Sequence, residues 1–146
     1  MKKLLYVLSI GVLVFGSGCA STQQFAPFPD QSKSVEDPSK ARIYVVRPTS
    51  FAAGIPMKVS DGKTLIGKTG PHGYLCWERN PGDMEVISKA ENTARLPLKV
   101  EKNKVYYIGQ HVRMGILFAR NKLSKLAESD GKAKVKECRP PKLVTK

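Results

Sequence analysis

The sequence predicts an all-β protein: a small antiparallel β-sandwich or barrel-like domain with a short C-terminal helix, preceded by a signal helix and a flexible linker. Three observations lead there. Runs rich in β-branched and aromatic residues recur roughly every eight to twelve residues, the spacing of a sandwich or barrel and not of strands alternating with helices. Turn formers separate the runs at Asp61-Gly62, Gly70-Pro71-His72-Gly73, Asn80-Pro81-Gly82 and Lys102-Asn103. Within the runs apolar residues alternate: Met84 with Val86, then Leu96 with Leu98 and Val100, each set on one face of a strand.

The chain opens with Lys2 and Lys3, then the apolar residues 4–15, then small residues up to Cys19. This is the form of a secretory signal. It is too short for a stable transmembrane span, which needs roughly 20 apolar residues. Residues 21–40 are polar, carry Pro27, Pro29 and Pro38, and show little periodicity. They read as a linker, with Phe25 and Phe28 free to pack on the domain or sit near lipid.

The domain is expected to begin at Ala41. Arg42-Ile43-Tyr44-Val45-Val46-Arg47 reads as a strand that Pro48 ends by withdrawing a backbone donor. Residues 49–55 form a loop, and the stretch 48–56 is a candidate contact element. Asp61-Gly62 between two apolar-bearing runs predicts a hairpin with a type I′ turn. Strands follow over 74–79, 83–90 and 96–100, and a long one over 105–112 with Tyr106 and Tyr107. Residues 114–126 suit either a strand pair or a short helix. Ser129 caps a predicted short helix, although Gly131 disfavours it, and Arg139-Pro140-Pro141 stops regular structure. The organisation is thus a signal peptide over 1–18, a tether over 19–40, a β domain over 41–139 and a tail over 140–146.

Gly16-Ser17-Gly18-Cys19 resembles a bacterial lipoprotein lipobox, with Gly16 where that pattern prefers Leu. The resemblance implies a diacylglyceryl group on the Cys19 thiol, and Ala20 after it implies sorting to the outer membrane, facing the periplasm. An ordinary signal peptide cut near Cys19 is the alternative. The order Ala41 to Pro48, Asp61-Gly62, Ile66-Gly67, Gly73-Tyr74, Asn80-Pro81-Gly82, Tyr106-Tyr107 and Cys138 is similar to the small bacterial lipoproteins grouped as domain of unknown function 2846. That resemblance covers residues 40–138. It implies a β-rich, membrane-tethered domain and supplies no catalytic residues.

Of the three cysteines, a lipidated Cys19 leaves Cys76 and Cys138. An even pair in an exported domain is most simply a disulfide, and a loop of about 60 residues gives it roughly 4 kcal/mol. Two free thiols are the alternative. Neither CxxC nor closely spaced His–Cys ligands occur, so no metal or cofactor is expected. His72 and His111 read as a turn and a strand-surface residue. Glu78, Asp83 and Glu85 read as a solvated strand face, and no nucleophile elbow, P-loop or GxGxxG is present.

The net charge is +13. Excess positive charge bears on anionic partners and not on fold. Nucleic acid does not suit an exported chain without a nucleic-acid fold signature. The anions available to such a protein are lipid head groups, lipopolysaccharide phosphates and cell-wall carboxylates, or another envelope protein. Arg47, Lys58, Lys63, Lys68, Arg79 and Arg95 are the candidate anion-binding residues, and Tyr44, Tyr74, Trp77 and Tyr106 could stack beside them. The expected function is a lipid-anchored, non-catalytic binding or structural module of the envelope. The alternative is an envelope hydrolase or a thiol redox protein.

Overall fold

A computed structural model describes residues 19–145. The predicted signal segment lies outside the described residues. Ten strands and one helix follow in order: β1 Gln23–Gln24, β2 Ala41–Arg47, β3 Met57–Asp61, β4 Thr64–Thr69, β5 Gly73–Arg79, β6 Gly82–Lys89, β7 Thr93–Val100, β8 Val105–Met114, β9 Ala119–Leu126, α1 Glu128–Glu137 and β10 Lys142–Leu143.

They build a sandwich and not a closed barrel. One sheet has the order β10-β1-β4-β3-β6-β7 and the other β5-β2-β8-β9. Ile43, Val45, Val59, Leu75, Trp77, Val86 and Ile108 meet between the sheets in one core. The two-residue period assigns them: odd residues of β2 and β5 point into this core, while Tyr44, Tyr74 and Cys76 point to the outer face of the four-stranded sheet. There Tyr44 stacks on Tyr107 with ring centroids 5.2 Å apart, and α1 covers them. Pro97 is tolerated in β7 because β7 is an edge strand.

Four expectations need correction. The sheets are not purely antiparallel: β2 pairs parallel with β8, and β1 with β10. The hairpin turn is shifted by one residue. Asp61 pairs with Thr64, so Gly62 and Lys63 make the loop and only Gly62 has positive φ, which is not a type I′ turn. The shift frees the Asp61 carboxylate for Trp77 and Arg79. Helix α1 begins after Ala127 with no side-chain cap, and Ser129 is inside it. Residues 114–126 resolve into the end of β8 and β9.

The fourth correction is the largest. Residues 19–40 are not a loose tether and 142–143 are not a loose tail. β1 fills the position beside β4, and β10 pairs with β1. A Cβ on Gly67, Gly70 or Gly73 would collide with Gln23, Ala20 or Thr22, so these glycines let the segment approach closely. The Gln24 side chain pairs with the free edge of β5 as a strand would: its Oε1 accepts the Cys76 N–H at 3.0 Å and its Nε2 donates to the Cys76 carbonyl at 2.5 Å. Buried Arg42 donates to the carbonyls of Lys33 (2.7 Å) and Asp30 (2.8 Å) and pairs with Glu78 at 2.8 Å. Low mean hydropathy hid this segment, because polar side chains make its contacts.

Candidate functional site

The six basic residues singled out in the sequence do not form one platform. Arg47 is 0 % exposed. Its guanidinium donates to the carbonyls of Ile55 (2.8 Å), Ala52 (2.8 Å), Phe51 (3.1 Å) and Thr69 (3.1 Å), so it shapes the 49–56 loop and meets no solvent anion. Arg79 is held by Asp61 at 2.7 Å and Arg95 by Glu85 at 2.5 Å. Lys63 sits in the β3–β4 turn at the opposite end of the sandwich from Lys58.

Lys58 and Lys68 do come together, directly opposite each other on β3 and β4. Two lysines that sequence reasoning passed over extend the pair. Lys58 is also opposite Lys89 on β6, and Lys68 is opposite Gln23, which is opposite Lys142 on β10. The result is a transverse row, Lys142–Gln23–Lys68–Lys58–Lys89, on the outer face of the six-stranded sheet. Neighbouring strands are about 4.8 Å apart, and like charges directly opposite destabilise a sheet. None of these lysines joins an ion pair among the described residues. The only other partner seen is the Phe25 ring, 5.9 Å from the Lys68 ammonium. Side by side and without ion-pair partners among the described residues, these ammonium groups concentrate positive charge on one sheet face. The signal for it, a lysine at corresponding places in three runs, becomes visible only once register is known.

Cys19 is exposed. The Ala20 N–H donates to the Ala53 carbonyl at 2.9 Å, so Cys19 lies at the end of the sandwich where β2 stops and β5 starts. The expected disulfide is absent: Cys76 and Cys138 are both buried free thiols. They share one apolar cluster with Tyr44 and Tyr74, but the Gly73–Arg139 bridge holds the Cys138 backbone at the start of β5. Cys76 is three residues farther along, about 10 Å at strand rise, beyond the span a disulfide bridges. Burial pushes both thiols up to about 11, so neither is a nucleophile at neutral pH.

Of the remaining acidic side chains, Asp61, Glu78 and Glu85 are paired. A cleft of about 640 Å³ is lined by Trp77, Asp61, Arg79 and Glu78. There Asp61 is occupied by Arg79 and by the Trp77 Nε1–H at 3.1 Å. Burial opposes ionisation of Glu78, yet the N–H groups of Glu36 (2.6 Å) and Asp37 (3.1 Å), together with Arg42, outweigh it and hold the carboxyl below its ordinary value. Glu85 pairs with Arg95, and Asp83 is exposed at the start of β6. His72 occupies the β4–β5 turn at φ 47°. His111 lies on β8, with Nε2 2.7 Å from the Ser124 hydroxyl; burial, then Lys134, Lys122 and Arg113, lower its pKa. No cluster of three His, Cys, Asp or Glu side chains suited to a metal occurs among the described residues.

Tyr44 and Tyr74 are covered on the outer face, and Trp77 and Tyr106 are in the inter-sheet core, so none is free to stack on a ligand. The sequence also did not reveal a buried polar bridge between the sheets, in which Gln110 accepts from the Thr69 hydroxyl (2.5 Å) and donates to Ser88 Oγ (2.6 Å). Among the described residues no helix is long and apolar enough to cross a membrane. No family model matches the chain, and no curated protein matches it as a relative.

Proposed function

We propose that this chain is an outer-membrane lipoprotein of the bacterial envelope, anchored through Cys19, whose β domain is a non-catalytic binding or structural module in the periplasm. The carrying observation is the exposed cysteine at one end of the folded body, directly after a short apolar run with a basic start. A lipid there would hold the domain against a membrane without any spanning helix. The motif order resembling domain of unknown function 2846 belongs to the same reading. The lysine row supports an anionic envelope component as its target, and the paired state of the cleft carboxylates and the raised thiols support a role without catalysis.

Mass spectrometry of the mature protein should find a diacylglyceryl-modified Cys19; an unmodified amino terminus would sink the anchor. Replacing Lys58, Lys68 and Lys89 together by Glu should weaken binding to anionic envelope material by about tenfold or more and remove its salt dependence. Unchanged binding would show that the row is not the site.

A further inference from the structure

The β8–β9 hairpin ends in an apolar tip that the sandwich does not use. Met114, Ile116, Leu117 and Phe118 are 74, 84, 80 and 63 % exposed. Contiguous apolar groups of this size mark contact with a partner or a membrane. The tip is held in shape by Glu91 from the β6–β7 turn. Its carboxylate accepts the N–H groups of Ile116 (3.1 Å), Leu117 (3.1 Å) and Phe118 (2.8 Å). The Gly115 N–H donates to the Phe118 carbonyl at 2.7 Å, and the Glu91 N–H donates to the Ala119 carbonyl at 3.1 Å.

These bonds bear on the identity of the partner. A strand-adding protein partner would need the backbone donors free. Lipid favours the reverse, because a free backbone N–H is costly there and the donors of this tip are already bonded. The flanks agree. Arg113 and Arg120 sit directly opposite each other on β8 and β9, and Lys122 follows opposite His111. Neither arginine has an ion-pair partner among the described residues. Arginines at the base of an apolar wedge can lay their stems along lipid and keep their heads at the phosphates.

Topology places this tip with Cys19. β8 runs parallel to β2, so its Met114 end lies at the Arg47 end of the sandwich. β5 begins opposite Arg47, and the segment carrying Cys19 meets Ala53 in the adjoining loop. The lysine row crosses the other sheet next to this same end, one residue from the Met57–Thr69 pair.

We propose that residues 114–118 are a wedge that inserts into the acyl region of an anionic phospholipid leaflet, with Arg113 and Arg120 on the lipid phosphates, fixing the end that carries Cys19 against the membrane. The proposal rests on the anchor reading only for which membrane the wedge meets. The test uses the full chain carrying Leu117→Cys, purified in detergent, labelled with an environment-sensitive fluorophore, and reconstituted in vesicles of phosphatidylethanolamine and phosphatidylglycerol. Cys76 and Cys138 are buried and do not compete for label. The unsubstituted chain, labelled in parallel and weighed by mass spectrometry, reports whether Cys19 carries lipid, so failure of the anchor is read separately.

Insertion predicts quenching by lipids brominated on their acyl chains and at least fivefold protection from aqueous iodide. Adding Arg113→Ser and Arg120→Ser should lower that protection to the level in phosphatidylcholine vesicles. Full access to iodide, or equal insertion with and without phosphatidylglycerol, overturns the proposal. Protection that arises only in native envelope membranes, and not in lipid vesicles, identifies a protein partner and also overturns it.

Discussion

Arg47 is a cation buried against four carbonyls, and among the described residues it has no carboxylate partner and its Nε no acceptor. Arg suits this place because its fork of donors can reach several acceptors at once, which a lysine cannot. Arg47→Leu should leave those carbonyls unsatisfied and cost about 2–4 kcal/mol, read as a lower urea midpoint with an unchanged slope. Arg47→Lys should recover only part of the loss. The thiols give a second expectation. With folded values near 11 against an ordinary 9.0, their contribution is complete below pH 9 and is lost as pH rises through 11. A thiol reagent at pH 8 should therefore reach neither Cys76 nor Cys138 in the native protein and both in denaturant without reductant. Failure to react in denaturant would mean that the two are bridged.

Among the elements, α1 shows why local propensity misleads. Gly131 weakens the helix as read from sequence, and replacing a helical glycine by alanine ordinarily gains about 1 kcal/mol. Here Gly131 lies flat on Tyr107, and a Cβ would overlap the ring. Gly131→Ala should instead destabilise by about 1–3 kcal/mol, seen as a lower thermal midpoint and a changed near-ultraviolet signal from the stacked tyrosines. β2, β5, β7 and β8 were legible as runs because alternation and β-branched content report a pleated, buried surface. β1 and β10 were not, since two residues carry no period.

For the molecule as a whole, residues 19–40 belong to the fold. Their attachment runs through Glu78, whose carboxyl the Glu36 and Asp37 N–H donors and Arg42 hold below the ordinary 4.5. A lowered folded value contributes stability above 4.5 that is lost as pH falls through the depressed value. Acid should therefore release residues 30–37 before the sandwich opens, measured as early loss of amide protection there; protection lost together with that of β2 would contradict this.

Composition, alternation and turn chemistry were enough to determine an all-β body, most strand positions and a cysteine directly after an apolar run, because each is a property of neighbours in the chain. Which lysines stand side by side, why the two thiols stay apart, and that the tip at 114–118 shares an end with Cys19 were decided by tertiary structure alone. Register and sheet order join residues dozens of positions apart, and a shift of one residue in a strand exchanges the faces of all its side chains. No local pattern in the chain encodes that choice; the packing of two sheets around one core does.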